Sequence, residues 1–127
     1  MLCKMADANG RPAKPLRSAQ MGILICGDLE RAFPPAKDYW VIDGAIAAQN
    51  MTLAAEALGI GSVWLGTWPQ MDRVENQSRL FQLPETIIPH SILAFGYPAE
   101  DNERQSAKAS EKNKPEWEAD RVHYEKW

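Results

Sequence analysis

A long apolar stretch, residues 39–58, restricts the possible folds of this chain more than any other feature of its sequence. Fourteen of its 20 residues are apolar, so a helix built from them has too little polar surface to lie on the outside of a monomer. Asp38 is placed to cap the N-terminus of this helix, and Gly59 is placed to end it. We therefore predict a central helix, buried either in a core or in a dimer interface.

The same stretch does not suit a membrane. Four residues with charged or amide side chains interrupt it: Asp43, Gln49, Asn50 and Glu56. Such groups are costly in the middle of a bilayer. No charged and then apolar signal segment opens the chain, and Cys3 and Cys26 form neither a disulfide framework nor a spaced metal cluster. We predict a reduced, cytoplasmic protein without a membrane partner.

Size and charge narrow the class of protein further. A chain of 127 residues with 45% hydrophobic content has the size of one domain. Its formal net charge is only −3, and its basic residues are not gathered into one stretch with interleaved aromatic residues. Such a chain offers no concentrated positive patch to bind a polyanion. We predict one globular domain and no nucleic-acid partner.

Strand-like and helix-like patterns alternate through the middle of the sequence. Short apolar runs predict strands at 21–27, 62–65 and 90–97. Residues 72–81 place apolar residues at rough helical spacing with polar residues between them, which predicts a short amphipathic helix. Strands that alternate with helices, without an internal repeat, predict an α/β or α+β fold.

The two ends of the chain differ from this middle region. Residues 1–20 contain Gly10, Pro12 and Pro15 without a sustained apolar period, which predicts an irregular leading segment before a core at 21–98. Residues 99–127 include 14 charged residues among 29. Their last part nevertheless contains four side chains that need a surface to bury against: Trp117, Val122, Tyr124 and Trp127. We predict an extended C-terminal arm that packs on a partner subunit.

Four stretches of the sequence resemble the nitroreductase family of FMN oxidoreductases, in its shorter form. They are residues 39–67, Leu83 to His90, Phe95 to Glu100 and Arg121 to Trp127, and they occur in family order. The resemblance implies an α+β fold in which helices flank a sheet in three layers, and a homodimer. It also implies a fold shortened at its N-terminus, because nothing in the sequence matches the family's Arg-Arg-Ser-type motif.

The resemblance also implies a cofactor site. Trp64, Leu65, Gly66 and Thr67 correspond to the segment that lies along the isoalloxazine edge, with the Gly66 backbone N–H near the flavin N5. A glycine suits that place because a side chain would block the approach of the ring. Taken without the resemblance, Gly66 is more simply a glycine between a strand and a loop.

Two lysines are candidates for the flavin phosphate. The resemblance implies a basic residue against the phosphate just after the strand that ends at Pro98 or in the arm that follows, and Lys112 and Lys114 lie in that arm. Their alternative interpretation is a solvated charged tail. His90 and His123 have no companion at ligand spacing, so we predict neither a metal site nor a catalytic histidine.

The resemblance implies an FMN-dependent NAD(P)H oxidoreductase that reduces nitroaromatic, quinone or similar acceptors. In such a protein the cofactor transfers the electrons, so we expect no catalytic side chain. The alternative is a shortened family member that keeps the dimeric scaffold, binds flavin weakly or not at all, and has no activity.

Overall fold

The computed structural model describes residues 1–97, which form one compact unit. The helices are α1 (Leu2–Asn9), α2 (Tyr39–Ala57) and α3 (Met71–Phe81), and the strands are β1 (Met21–Asp28), β2 (Gly61–Gly66) and β3 (Ile87–Gly96). Two short 3-10 helices cover Arg11–Arg17 and Pro34–Ala36. The predicted strands and the predicted helices in the middle of the chain are confirmed. The proposed arm at 99–127 lies outside the described residues.

The three strands form one antiparallel sheet in the order β1-β3-β2. The central strand, β3, is the most buried, and its alternating side chains supply both cores. Ile92 and Ala94 pack on one face of the sheet, while Leu93 and Phe95 pack on the other. Helices cover both faces, so the molecule is a three-layer α+β structure, as predicted.

One face of the sheet is covered by α1, the first 3-10 helix and α3. Met5 on α1 and Leu16 on the 3-10 helix are buried in this core together with Ile92. The prediction that residues 1–20 are irregular is therefore wrong. The sequence pattern missed these elements for two reasons. The apolar stripe of α1 spans only eight residues, and Ala13 and Leu16 follow the three-residue period of a 3-10 helix rather than the longer period of an α-helix.

Among the elements of residues 1–97, α2 alone covers the other face of the sheet. Only Gly44, Ala48 and Ala55 of this helix are buried within the described chain. Four apolar side chains on its opposite side stay more than half exposed and form what we call the outer stripe: Tyr39, Ile42, Ile46 and Leu53. Within residues 1–97 the helix is therefore buried along one side only, and the prediction of a fully buried central helix is met on that side.

The C-terminal end of α2 forms as predicted, and the N-terminal end does not. Gly59 follows the helix with φ of 70°, the left-handed conformation that ends many helices. Asp38 makes no side-chain cap. It already has helical dihedral angles, because the preceding 3-10 turn leads directly into the helix, and its carbonyl accepts the N–H of Val41 at 3.2 Å.

None of the helices within residues 1–97 is both long and apolar enough to cross a membrane.

Candidate functional site

The end of β2 presents its residues to two different surroundings. Leu65 is buried in the core beneath α1 and α3, and Thr67 is fully buried. Trp64 pairs with Leu93 of β3, and therefore lies on the α2 face of the sheet, with 41% of its surface exposed. Gly66 is exposed and lies on that same face, since alternate residues of a strand share a face. A ligand at this edge would meet Trp64 and the backbone of Gly66.

Side chains from two helices hold the Gly66 carbonyl. Asn9 at the end of α1 donates from Nδ2 to the Gly66 oxygen at 3.1 Å, and Arg73 on α3 donates from Nη1 to the same oxygen at 3.0 Å. These two donors fill both lone pairs of the carbonyl, which leaves none for β3. The N–H and C=O of a residue in an extended strand point to the same edge. The Gly66 N–H therefore points away from β3 as well.

The next residue fixes the same turn from inside. The Thr67 hydroxyl donates to Asn9 Oδ1 at 2.9 Å, and Asn9 is itself fully buried. The backbone N–H groups of Thr67 and Trp68 both reach the His90 carbonyl, at 3.3 and 2.9 Å. The Thr67 carbonyl accepts the Gln70 N–H at 3.0 Å, so the side chain and the backbone of Thr67 both hold the turn.

Gly66 has free space where a side chain would begin. A Cβ built on it would meet no heavy atom within 4 Å, and its φ is not in the left-handed region. Gly44 on α2 is the opposite case, because a Cβ there would lie 2.8 Å from the His90 ring. The fold thus requires a glycine at position 44 for packing, whereas no packing contact within residues 1–97 requires one at position 66.

A bulge in β3 turns His90 toward α2. The register with β1 passes from Ser91 directly to Pro89, so His90 is the extra residue. Its Nδ1 lies 3.0 Å from the Ser91 hydroxyl, and its ring packs edge-on to Trp40, with centroids 5.9 Å apart. Burial lowers the pKa of His90, and a hydrogen bond with the backbone of Val41 offsets part of this by favouring the charged ring. His90 is therefore neutral near pH 7.

A cavity of about 660 Å³ opens beside Trp68, two residues after Gly66. Its walls are mostly apolar and include Trp40, Val41, Trp68 and Ile88. Lys37 and Asp38 supply its charged groups. A volume of this size, with aromatic walls and few polar groups, suits a small planar molecule.

A family model for the nitroreductase family matches residues 7–97. The chain belongs to the nitroreductase family. The match covers most of the chain and includes the end of β2, so the resemblance seen in the sequence is confirmed.

Individual members of the nitroreductase family give the same result. The chain is 40% identical over 112 residues to a Methanothermobacter thermautotrophicus protein that is provisionally named an NADH dehydrogenase/NAD(P)H nitroreductase, and covers 53% of it. It is 40% identical over 60 residues to the FMN reductase (NADPH) of Bacillus subtilis, which is 46% of this chain and 23% of that protein. The chain thus spans about half of the first relative and a quarter of the second.

A solved structure supports the family fold. A Bacteroides thetaiotaomicron protein with the same provisional name superposes with a TM-score of 0.77 at 34% identity. The alignment covers 100% of this chain and 68% of that one. The predicted nitroreductase-like fold is confirmed.

The structure of this nitroreductase-family chain adds residues that sequence reasoning missed. Asn9 and Arg73 were not predicted, because no local pattern marks a side chain that bonds a carbonyl seven or 57 residues away. Burial raises the pKa of the Cys26 thiol, so Cys26 is not an activated thiolate. The candidate phosphate ligands Lys112 and Lys114 lie outside the described residues.

Proposed function

We propose that this chain forms the FMN site of an NAD(P)H-dependent oxidoreductase. The observation that carries the proposal is the edge of Gly66, whose N–H points outward beside free space while its carbonyl is held by two side chains. This edge fits the rim of an isoalloxazine ring, because a Cβ at position 66 would occupy the space that the ring needs. Bound FMN would supply the electron transfer between nicotinamide and acceptor.

Each predicted site residue then has a defined task. The Gly66 N–H would donate to the ring edge, and the exposed indole of Trp64 would border the ring on the α2 face of the sheet. Leu65 and Thr67 would support this edge from the core, because both are buried and the Thr67 hydroxyl donates to Asn9, which holds the Gly66 carbonyl. Lys112 and Lys114 are proposed to bind the FMN phosphate, which requires cations or several hydrogen-bond donors.

The proposed acceptors are nitroaromatic, quinone or similar planar molecules. The cavity beside Trp68 supports this choice, since its apolar and aromatic walls favour a flat ring, and Lys37 offers a positive charge to an electron-rich substituent. The B. subtilis relative, named for FMN reduction with NADPH, supports both the cofactor and the electron donor.

We also infer that the chain acts as a homodimer in the cytoplasm. The outer stripe of α2 supports the dimer, because four large apolar side chains exposed along one helix face form a patch that water does not favour. A second copy of α2 would bury this patch in a symmetric interface.

Titration of the purified protein with FMN tests the proposed function. We expect protein-dependent quenching of FMN fluorescence, and oxidation of NADH or NADPH by the FMN-loaded protein when a quinone is added. The alternative, a dimeric scaffold without flavin chemistry, predicts a folded dimer that neither quenches FMN nor oxidises the nicotinamide.

A further inference from the structure

Arg73 occupies an unusual place beside the Gly66 edge. It lies in the first turn of α3, is partly buried, and reaches back to the Gly66 carbonyl at 3.0 Å. Within residues 1–97 the only ion pair joins Arg17 and Asp7. No carboxylate of the described residues therefore neutralises the guanidinium of Arg73. A full positive charge stands one hydrogen bond from the backbone of Gly66.

The two donors to the Gly66 carbonyl differ in what else they do. Asn9 is fully buried, and it also accepts the Thr67 hydroxyl, so its loss would leave buried polar groups without partners. Arg73 makes one hydrogen bond to this carbonyl from the solvent side. Water can replace a donor at such a place with little cost to folding. The fold thus depends on Asn9, and the specific role of Arg73 must be sought in what binds at the edge.

We propose that Arg73 is a positioning residue of the proposed FMN site that also tunes the ring by its charge. Its hydrogen bond holds the Gly66 carbonyl and so helps to keep Gly66 in the extended conformation in which its N–H points outward. Its charge favours the electron-rich reduced form of a ring held there. A charge placed near the reactive edge of a flavin is one of the means by which a protein sets its electronics. The inference rests on the proposed function, which supplies the ring.

Three variants of Arg73 separate its charge from its hydrogen bond. Arg73→Met and Arg73→Gln remove the charge, and Arg73→Lys keeps the charge but loses the planar fork. The matched control is Arg79→Met, an exposed position on the same helix that has no bond to Gly66. The measurements are the Kd for FMN, the midpoint potential of bound FMN and the thermal unfolding temperature of the ligand-free protein.

We expect both neutral variants to bind FMN roughly tenfold more weakly, as the loss of a charge-assisted hydrogen bond at the edge would produce. The midpoint potential of bound FMN falls in both, because the reduced form loses a stabilising charge. Arg73→Lys keeps a potential close to that of the unchanged protein. Arg79→Met changes neither quantity, and the unfolding temperature stays within a few degrees in every variant that leaves the fold intact.

Two results overturn the inference. The first is that both neutral variants have the same Kd for FMN and the same midpoint potential of bound FMN as Arg79→Met. The other is a drop of the potential in Arg73→Lys as large as in Arg73→Met, which would remove the role of charge. Failure of the unchanged protein to bind FMN is a separate result, which refutes the proposed function and the inference together. If Arg73→Met does not fold, Arg73→Gln alone decides.

Discussion

The two faces of the sheet differ in how much of their cover residues 1–97 supply. Beneath α1 and α3, the first face is closed by buried apolar side chains such as Leu16 and by hydrogen bonds from Asn9. The second face is covered by α2, which packs through small residues such as Gly44 and exposes its outer stripe. Within residues 1–97 the first face is closed, and we call it the finished face. The second leaves large apolar side chains exposed, and we call it the unfinished face. The Gly66 edge lies on the second, unfinished face, with its carbonyl held from the first.

The largest effect is expected on the unfinished face, from Ile42→Ser combined with Ile46→Ser. Each isoleucine is 54% exposed in one chain. Burial of that half is worth roughly 1 kcal/mol per side chain, so four such side chains in a symmetric dimer contribute about 4 kcal/mol, or nearly a thousandfold in Kd. Sedimentation equilibrium should find a dimer for the unchanged protein and a monomer for the double variant at the same concentration.

Glu56→Ser is the control for that prediction, since it changes an exposed polar position on the same helix. It should leave the dimer unaffected. An unchanged protein that is monomeric at tens of micromolar would refute the dimer outright. Some surface other than a second copy of the chain would then have to cover the outer stripe.

The next effect, on the finished face, is expected from Leu16→Ala. Leu16 is fully buried, so its truncation should cost about 3 kcal/mol of unfolding free energy through lost contacts and a cavity. Leu53→Ala makes the same chemical change on the outer stripe, where 58% of the side chain is exposed. Urea unfolding at several protein concentrations separates the two variants.

The loss in Leu16→Ala should not depend on protein concentration, whereas the loss in Leu53→Ala should shrink as dilution removes the dimer. Equal and concentration-independent losses would mean that both faces are finished within one chain. That outcome would contradict the comparison directly.

The smallest effect on stability is expected from pH, through His90. Because burial lowers the pKa of His90 from its ordinary 6.5, the unfolded chain takes up a proton first as the pH falls. The contribution of the neutral ring to stability is therefore complete above about pH 6.5 and is lost as the pH falls through the folded-state pKa. A single group changes the unfolding free energy by at most about 1.4 kcal/mol per pH unit.

His90→Gln should remove this part of the pH dependence. Urea unfolding of both proteins between pH 7 and pH 5 should give a smaller loss of stability in the variant, whatever its stability at pH 7. Parallel pH profiles for the two proteins would show that His90 does not contribute to the pH dependence of stability.

Sequence patterns predicted the elements whose signal is continuous and local. The apolar run of α2, the strand β3 and the Gly59 that ends α2 were all found, because each depends on neighbours along the chain. Helix α1 was missed, since its stripe of Leu2, Met5 and Ala6 is too short to stand out before the prolines that follow.

The candidate site was less predictable than the fold. Gly66 was found only through the family resemblance, because a glycine after a strand is common. Asn9 belongs to the site through bonds that span 57 and 58 residues, and such contacts exist only once the layers have packed. A sequence read in short windows cannot show them.

The most direct test of the central claim, that the edge of Gly66 holds a flavin, is an FMN titration of Gly66→Val beside the unchanged protein. A valine fits the fold here, because nothing lies within 4 Å of its Cβ and the backbone is not left-handed. The unfolding temperature should therefore stay nearly constant, while the Kd for FMN rises at least about tenfold as the side chain fills the space of the ring. An unchanged Kd with a folded variant would mean that Gly66 is only a turn residue and that the proposed site is wrong.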